Sequence, residues 1–410
     1  MSVATEEALR SAAFFDDPYG VYERLRRERP VYWSPSWRGW LVTRYDDVRS
    51  ILDRPREFSS ADRVRARMGG LPPEIWAAME QIYGGFRGFF WSDPPEYTAH
   101  RTRANAALRP RIADIAPRVL ALVDEAIDSF SAAGSADIIA ALAYPLPATV
   151  IFEILGIPPQ ERDRFRTWST DMIKLAKLAT AENATTAMAG MDAACAWMRE
   201  LLEQRRSRPQ GDLLSVLAAD TGLTDMADAD FRVTVVTLIQ FLLAGHETTT
   251  GLIGNGLLSL LERGESMHAL TRDAAILRPA IEEMLRFDSP LQYLTRRATS
   301  AVELGGQSIE AGELVLPVLG SANRDGSQFP QPDRFDPARR PNRHVAFGHN
   351  IHFCLGAPLA RLEAQIVFQR LLSRLPGLRR SGEIAWRQNP MFRALDTLPV
   401  AFDDVLAPAS

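Results

Sequence analysis

Two stretches of this sequence carry side chains whose types and spacing could do chemistry: residues 347–356, FGHNIHFCLG, and residues 244–249, AGHETT. In the first, Cys354 stands just before a helix-forming run in which Pro358 suits a first turn. The free N–H groups of such a turn stabilise an anionic sulfur, and Gly348 permits the tight turn ahead of it. This arrangement suits a thiolate presented to a heme iron. It also suits a buried structural cysteine, the commoner fate of an isolated thiol. A zinc site lacks further ligands nearby, and a covalently attached heme would need C-x-x-C-H, which is absent. In the second stretch, the Thr248 hydroxyl can bond the carbonyl four residues earlier, that of Ala244, and open the helix locally. Small Ala244 and Gly245 leave room there for a small molecule, and Glu247 supplies an ionisable group for proton transfer. The plainer reading is an ordinary helical glutamate beside β-branched residues. His246 is expected to pack rather than to bind iron. Cys195 lies in MDAACAWMRELLEQRR, a helical pattern in which a buried apolar thiol is the simplest reading.

Elements that could hold these stretches are legible in the periodicity. Residues 17–29 read as an amphipathic helix, followed by short strand-like runs at Val31–Trp33 and Trp40–Thr43. From about 95 to 290 nearly everything has helical period, and the longest such segment, about Met226 to Arg263, contains AGHETT. Short strands are expected at Tyr293–Thr299, Val302–Leu304 and Leu314–Val318, then an irregular Pro/Arg-rich stretch at 326–343 and a last helix from about Pro358 to Leu375. The fold class expected is mainly α with a minor β-sheet portion, in one unit spanning 1–410. With 410 residues, 46% of them hydrophobic, the chain can bury a large core. A net charge of −4 argues against nucleic acid as the main partner. Two cysteines are too few for a disulfide scaffold. The longest apolar run, Val233–Ala244, is interrupted by Thr237 and Gln240, so no membrane span is expected. The acidic N-terminal stretch does not look like a signal peptide, and a cytoplasmic location is expected.

FGHNIHFCLGAPLARLE resembles the heme-binding loop of the cytochrome P-450 family, usually written F-G-x-G-x-H-x-C-x-G. Phe347, Gly348, His352, Cys354 and Gly356 match, while Asn350 replaces the second glycine. Asparagine is the next most tolerant residue of a left-handed backbone, so the turn is expected to survive. Residues 283–286, EMLR, match the family's E-x-x-R, whose Glu283 and Arg286 share a helix face and can pair. LTRRAT, NRD and FPQPDRFDP follow, with Arg334 expected as the third member of that buried ion network. AGHETT matches the oxygen-activating stretch of the family's long central helix, and DPPEY–R at 93–101 the start of a heme-flanking helix. The resemblance covers about residues 14–402.

The resemblance implies a heme-thiolate monooxygenase that inserts one oxygen atom of O2 into a mostly apolar small organic substrate. Its cofactor would be heme b, iron protoporphyrin IX, with Cys354 on the metal. The thiolate's electron donation favours O–O cleavage. Thr248 would hold a water and Glu247 would relay protons from solvent. Such an acid–alcohol pair argues against a peroxide-driven relative. Tyr97, Arg101, Arg296 and His352 would meet the heme propionates, while Ala244, Gly245, Phe347, Gly348 and Gly356 would line the cofactor. The substrate pocket would draw on Phe86, Phe89, Gln240, Leu243, Ala244, Leu291, Gln292, Met391 and Phe392. Gln240 and Gln292 are the polar exceptions, and suggest a substrate with one hydrogen-bonding handle. The chain ends soon after the heme-loop region, so electrons are expected from a separate ferredoxin fed by an NAD(P)H-dependent ferredoxin reductase. Arg103, Arg109, Arg339, Arg340 and Arg343 are candidates for a basic docking patch.

Overall fold

The long segment of helical period folds as one 33-residue helix, Ala229–Leu261, about 50 Å long at ~1.5 Å per residue. Apolar residues occupy most of its circumference, so it is stable only when surrounded. The computed structural model describes residues 2–61, 72–82, 88–161, 164, 181–210, 212–219, 229–403 and 405–407. We number the helices used below along the chain. They are α1 (Tyr45–Asp53), α2 (Glu96–Asp114), α3 (Ala116–Ser131), α4 (Pro145–Leu155), α5 (Ala229–Leu261), α6 (Leu277–Phe287) and α7 (Ala357–Arg374). Helices α4, α6 and α7 pack directly on α5, and α3 packs on α7. Leu252, Ile253, Leu257, Met284, Phe368 and Leu371 form the centre of the main apolar cluster. A Cβ at Gly256 would stand 2.7 Å from Met284 Sδ and 2.9 Å from the Phe368 ring, so a glycine is what lets α6 and α7 approach α5 so closely.

Mostly helical, the chain carries a minor sheet. Strands β1 (Val31–Ser34), β2 (Gly39–Val42), β3 (Phe58–Ser59), β4 (Arg296–Ala298) and β5 (Leu314–Pro317) pair in the order β1-β2-β5-β4-β3. Only β2 and β5 run parallel, with Trp40 opposite Val315. The strand expected at Tyr293–Thr299 is shorter in its ladder, while Val302–Leu304 pairs with an unanticipated partner, Gln307–Ile309. The signal for that hairpin was present: Gly305 and Gly306 take the positive φ of 56° and 75° that a two-residue turn demands. The stretch 326–343 contains no helix or strand, and α7 begins one residue before Pro358. Among the described residues, no helix is long and apolar enough to cross a membrane.

Candidate active site

The loop ahead of α7 is a tight turn built on two left-handed residues, Gly348 (φ 70°) and Asn350 (φ 57°). Asn350 therefore adopts the backbone that its type tolerates and β-branched residues resist. Gly348 N–H donates to Val345 O (2.8 Å), Phe353 N–H to Asn350 O (2.9 Å) and Cys354 N–H to Phe347 O (2.9 Å). The loop is also anchored on the end of α1, where His349 Nε2 lies 3.2 Å from Asp53 Oδ1. Its path delivers the Cys354 sulfur to the first turn of α7, where the Gly356 and Ala357 N–H groups favour its anionic form. Burial pushes the Cys354 thiol up, while those N–H groups and the guanidiniums of Arg101 and Arg361 pull the other way. Arg361 sits 4.5 Å over the Phe347 ring and grips Glu282 at 2.6 and 2.8 Å. Burial raises the Glu282 carboxyl, but hydrogen bonds from Arg361 and His344 outweigh it and hold that carboxyl down at about 2.

Beneath this loop lies a buried ion network with a membership different from that expected. Glu283 and Arg286, both without solvent exposure, pair face to face at 2.7 and 2.8 Å. The third member is Arg339, whose Nε lies 3.1 Å from both Glu283 oxygens, and not Arg334. The Arg334 side chain is exposed and, among the described residues, hydrogen-bonds to Gln331 at 3.3 Å. It is the Arg334 carbonyl that takes part, accepting from Arg286 (3.2 Å) and Arg339 (2.9 Å). The Asp336 N–H and Asn342 Nδ2 complete the shell of Glu283 at 2.9 and 3.2 Å. Burial of Arg339 also removes it from the expected basic docking patch.

Arg296, on β4, is buried, and burial pushes its guanidinium down to about 10 against the pull of nearby Asp93 and Tyr97. Its one hydrogen bond among the described residues goes to Thr295 O, at 2.8 Å. A buried cation this poorly paired needs an anion. Tyr97 donates its phenol proton to Ile351 O (2.8 Å) and accepts from Arg101 Nη1 (2.9 Å), while Arg101 also donates to Phe353 O. The His352 ring stacks 4.1 Å from that of Tyr97 and its Nε2 lies 3.3 Å from Ser60 Oγ. Tyr97 and Arg101 thus spend these bonds on tethering the cysteine loop to α2. A thiol at the start of a helix, with a buried cation short of an anionic partner, fits an iron porphyrin bearing carboxylates.

Helix α5 carries a partly exposed stripe that includes Thr237, Phe241, Ala244, Gly245 and Thr248, spaced three or four residues apart or adjacent. Such a stripe leaves a face of the helix open to a bound group. Thr248 Oγ1 donates to Ala244 O at 2.7 Å, the back-bond anticipated from spacing. Glu247 is buried at 5% exposure and forms an ion pair with Arg387. Arg387 in turn bonds Asp396 at 2.9 Å, and Asp396 is half exposed. Sequence reasoning missed Arg387, which lies 140 residues from its partner in a strand-end turn without a motif. His246 is fully buried against the Tyr144 ring, and its Nε2 lies 3.2 Å from Tyr144 O. A carbonyl only accepts, so that nitrogen carries the proton. Burial lowers the His246 pKa, so the ring is neutral and the charge compensating Glu247 is that of Arg387.

Of the expected pocket residues, Phe89 packs its ring on Phe241 and Tyr97 and donates its N–H to Thr237 Oγ1 at 3.3 Å. Leu291 and Phe392 meet in a β-bridge, beside the bond from Gln292 N–H to Met391 O at 2.9 Å. Leu243 is half-buried beside Ala244. The Gln292 side chain turns to structure, donating to Ser289 O at 2.7 Å and packing against Gly320. Gln240 is buried with both amide atoms unpartnered. Phe86 lies outside the described residues.

Comparison with known proteins agrees with this geometry. A family model described as Cytochrome P-450 matches residues 163–376. Cytochrome P-450 107B1 of Saccharopolyspora erythraea is 37% identical over 406 residues, covering 95% of this chain and 96% of its own length. Cytochrome P-450 monooxygenase PikC of Streptomyces venezuelae is 39% identical over 403 residues, covering 94% and 91%. Among solved structures, that of CYP109E1 from Bacillus megaterium in complex with testosterone matches with a TM-score of 0.86 at 32% identity, covering 96% of this chain and 100% of that one.

Proposed function

This chain belongs to the cytochrome P-450 family, and on that premise we propose that Cys354 is the axial ligand of a heme b at which a mostly apolar substrate is oxidised. The enzyme is a monooxygenase, an oxidoreductase with a heme cofactor that takes O2 and small organic substrates. The observation that carries the assignment is the place of Cys354 itself, a half-buried thiol just past the Gly348–Asn350 turn and just ahead of α7. Neither cysteine begins C-x-x-C-H, so the heme is the non-covalent b type. Arg296 is the first candidate for a propionate, with Arg101 and His352 beside it. Tyr97 acts chiefly through the loop that it tethers. Phe347, Gly348, Ala244 and Gly245 form the walls. We propose a single catalytic unit and a cytoplasmic location.

When bound, the heme supplies oxygen activation and the transfer of one oxygen atom to substrate. The remaining work falls to this chain's own residues. With its proton committed to the Ala244 carbonyl, Thr248 Oγ1 is left as an acceptor that can hold a water beside the helix. Glu247 moves protons, and Arg387 positions it on a path whose outer end, Asp396, reaches solvent. Phe89, Leu243, Leu291, Met391 and Phe392 enclose an apolar substrate, an idea supported by the testosterone held in the Bacillus megaterium neighbour. Electrons come from a ferredoxin and its NAD(P)H-dependent reductase. Exposed Arg103, Arg109, Arg340 and Arg343 offer an acidic partner a basic face. Nearby, a cleft of about 470 Å³ is lined by Arg278, Arg340 and Arg361. A difference spectrum of the reduced carbon monoxide complex tests the ligand. Cys354→Ser should abolish the strongly red-shifted thiolate band and Cys195→Ser should keep it; a band that survives Cys354→Ser overturns the assignment.

A further inference from the structure

Buried side-chain amides in this protein find partners. Asn323 donates to Ser289 Oγ (2.8 Å) and accepts from Val345 N–H (2.8 Å). Asn255 donates to Asp288 O and Arg393 O, and Gln292 to Ser289 O. Where one falls short it is by a single atom, as at Asn255 Oδ1, Gln292 Oε1, Asn342 Oδ1 and Asn389 Nδ2. Among the described residues Gln240 alone has both amide atoms buried and unpartnered, on a side chain 6% exposed. A buried donor and a buried acceptor left unmade both count against the ligand-free fold, so their place identifies what relieves them.

That place adjoins the partly exposed face of α5, where the monooxygenase reading puts the substrate. Gln240 stands one helical turn before Ala244, beside the partly exposed stripe formed by Thr237, Phe241, Ala244 and Thr248. Its amide lies under the turn at Gly88, where an added Cβ would come within 3.5 Å of both Gln240 Oε1 and Thr237 Oγ1. The Phe89 and Phe90 rings, both on Phe241, make the surroundings apolar. Resting on the monooxygenase reading above, we infer that Gln240 selects substrates carrying one neutral group that donates and accepts a hydrogen bond at once, a hydroxyl or a secondary amide. A ketone would use Nε2 and leave Oε1 unmet. An ammonium would use Oε1 alone. A carboxylate would bond Nε2 while setting its negative charge against Oε1.

Three probes of one ring size separate these cases: cyclododecanol, cyclododecanone and cyclododecane. Each is titrated into the purified holoenzyme and followed by the low- to high-spin shift of the heme. The wild type binds the alcohol about tenfold more tightly than the hydrocarbon, with the ketone between them. In Gln240→Leu and in the longer Gln240→Met, the alcohol loses about that factor while the hydrocarbon changes less than about twofold. Parallel affinities in the wild type, equal losses for all three probes in both variants, or no shift with any probe would each overturn the inference. An intact red-shifted carbon monoxide band in the same preparations shows that such a failure belongs to Gln240, whereas its absence means that the heme-thiolate reading has failed.

Discussion

Below the cysteine loop, both oxygens of Glu283 are taken up by Arg286, Arg339, Asn342 and the Asp336 N–H; beside the partly exposed face of α5, neither amide atom of Gln240 has a partner. The first region is a buried ion network in which every charge is met and only Asn342 Oδ1 is left over. The second keeps an unmet amide, a carboxylate shared with a half-exposed ion chain and a threonine folded back on its own helix. Geometry that must not change is built from satisfied groups, and a face that exchanges water, protons and substrate retains unsatisfied ones. The two regions should respond differently to the loss of one side chain.

The largest effect is expected in the brace. Glu283→Gln leaves two buried guanidiniums opposite a neutral amide and should cost roughly 3–5 kcal/mol, read as a lower guanidinium chloride midpoint and loss of heme. Arg339→Met should follow in the same direction. Arg334→Met, on an exposed side chain, should stay within about 0.5 kcal/mol. Equal midpoints for the Arg334 and Arg339 variants would break the contrast.

On the opposite face, the main effect should fall on turnover. Thr248→Ala is expected to keep NADH consumption but to release hydrogen peroxide in place of product. Glu247→Gln should slow turnover by roughly 100-fold with less change in coupling. Arg387→Met should slow it less, and Arg387→Lys should recover part of the rate because a cation still faces the carboxylate. Unchanged rate and coupling throughout would remove the proton path.

The smallest effect sharpens the comparison within the loop itself. Asn350→Gly should change stability by at most about 1 kcal/mol, because glycine accepts the observed φ freely. Asn350→Val should lower heme occupancy measurably, since a β-branched residue resists that backbone. Equal heme occupancy in the two variants would show that the turn tolerates any residue.

What was legible in the sequence was local. Cys354 ahead of a helix, a left-handed Asn350, the Thr248 bond to the carbonyl four residues back and the Glu283–Arg286 pair three residues apart all follow from backbone geometry over a single turn. Helical period likewise marked out the central helix, and the motif spacing identified the family. Tertiary structure decided which distant group meets which. It put Arg339 rather than Arg334 on Glu283, 56 residues away, and Arg387 on Glu247, 140 residues away. It turned Gln292 to a backbone carbonyl and left Gln240 without a partner. Several arginines of similar sequence character were available, and burial selected among them: a guanidinium is tolerated inside only where carboxylates and carbonyls from separate segments converge, and the completed packing alone fixes that convergence.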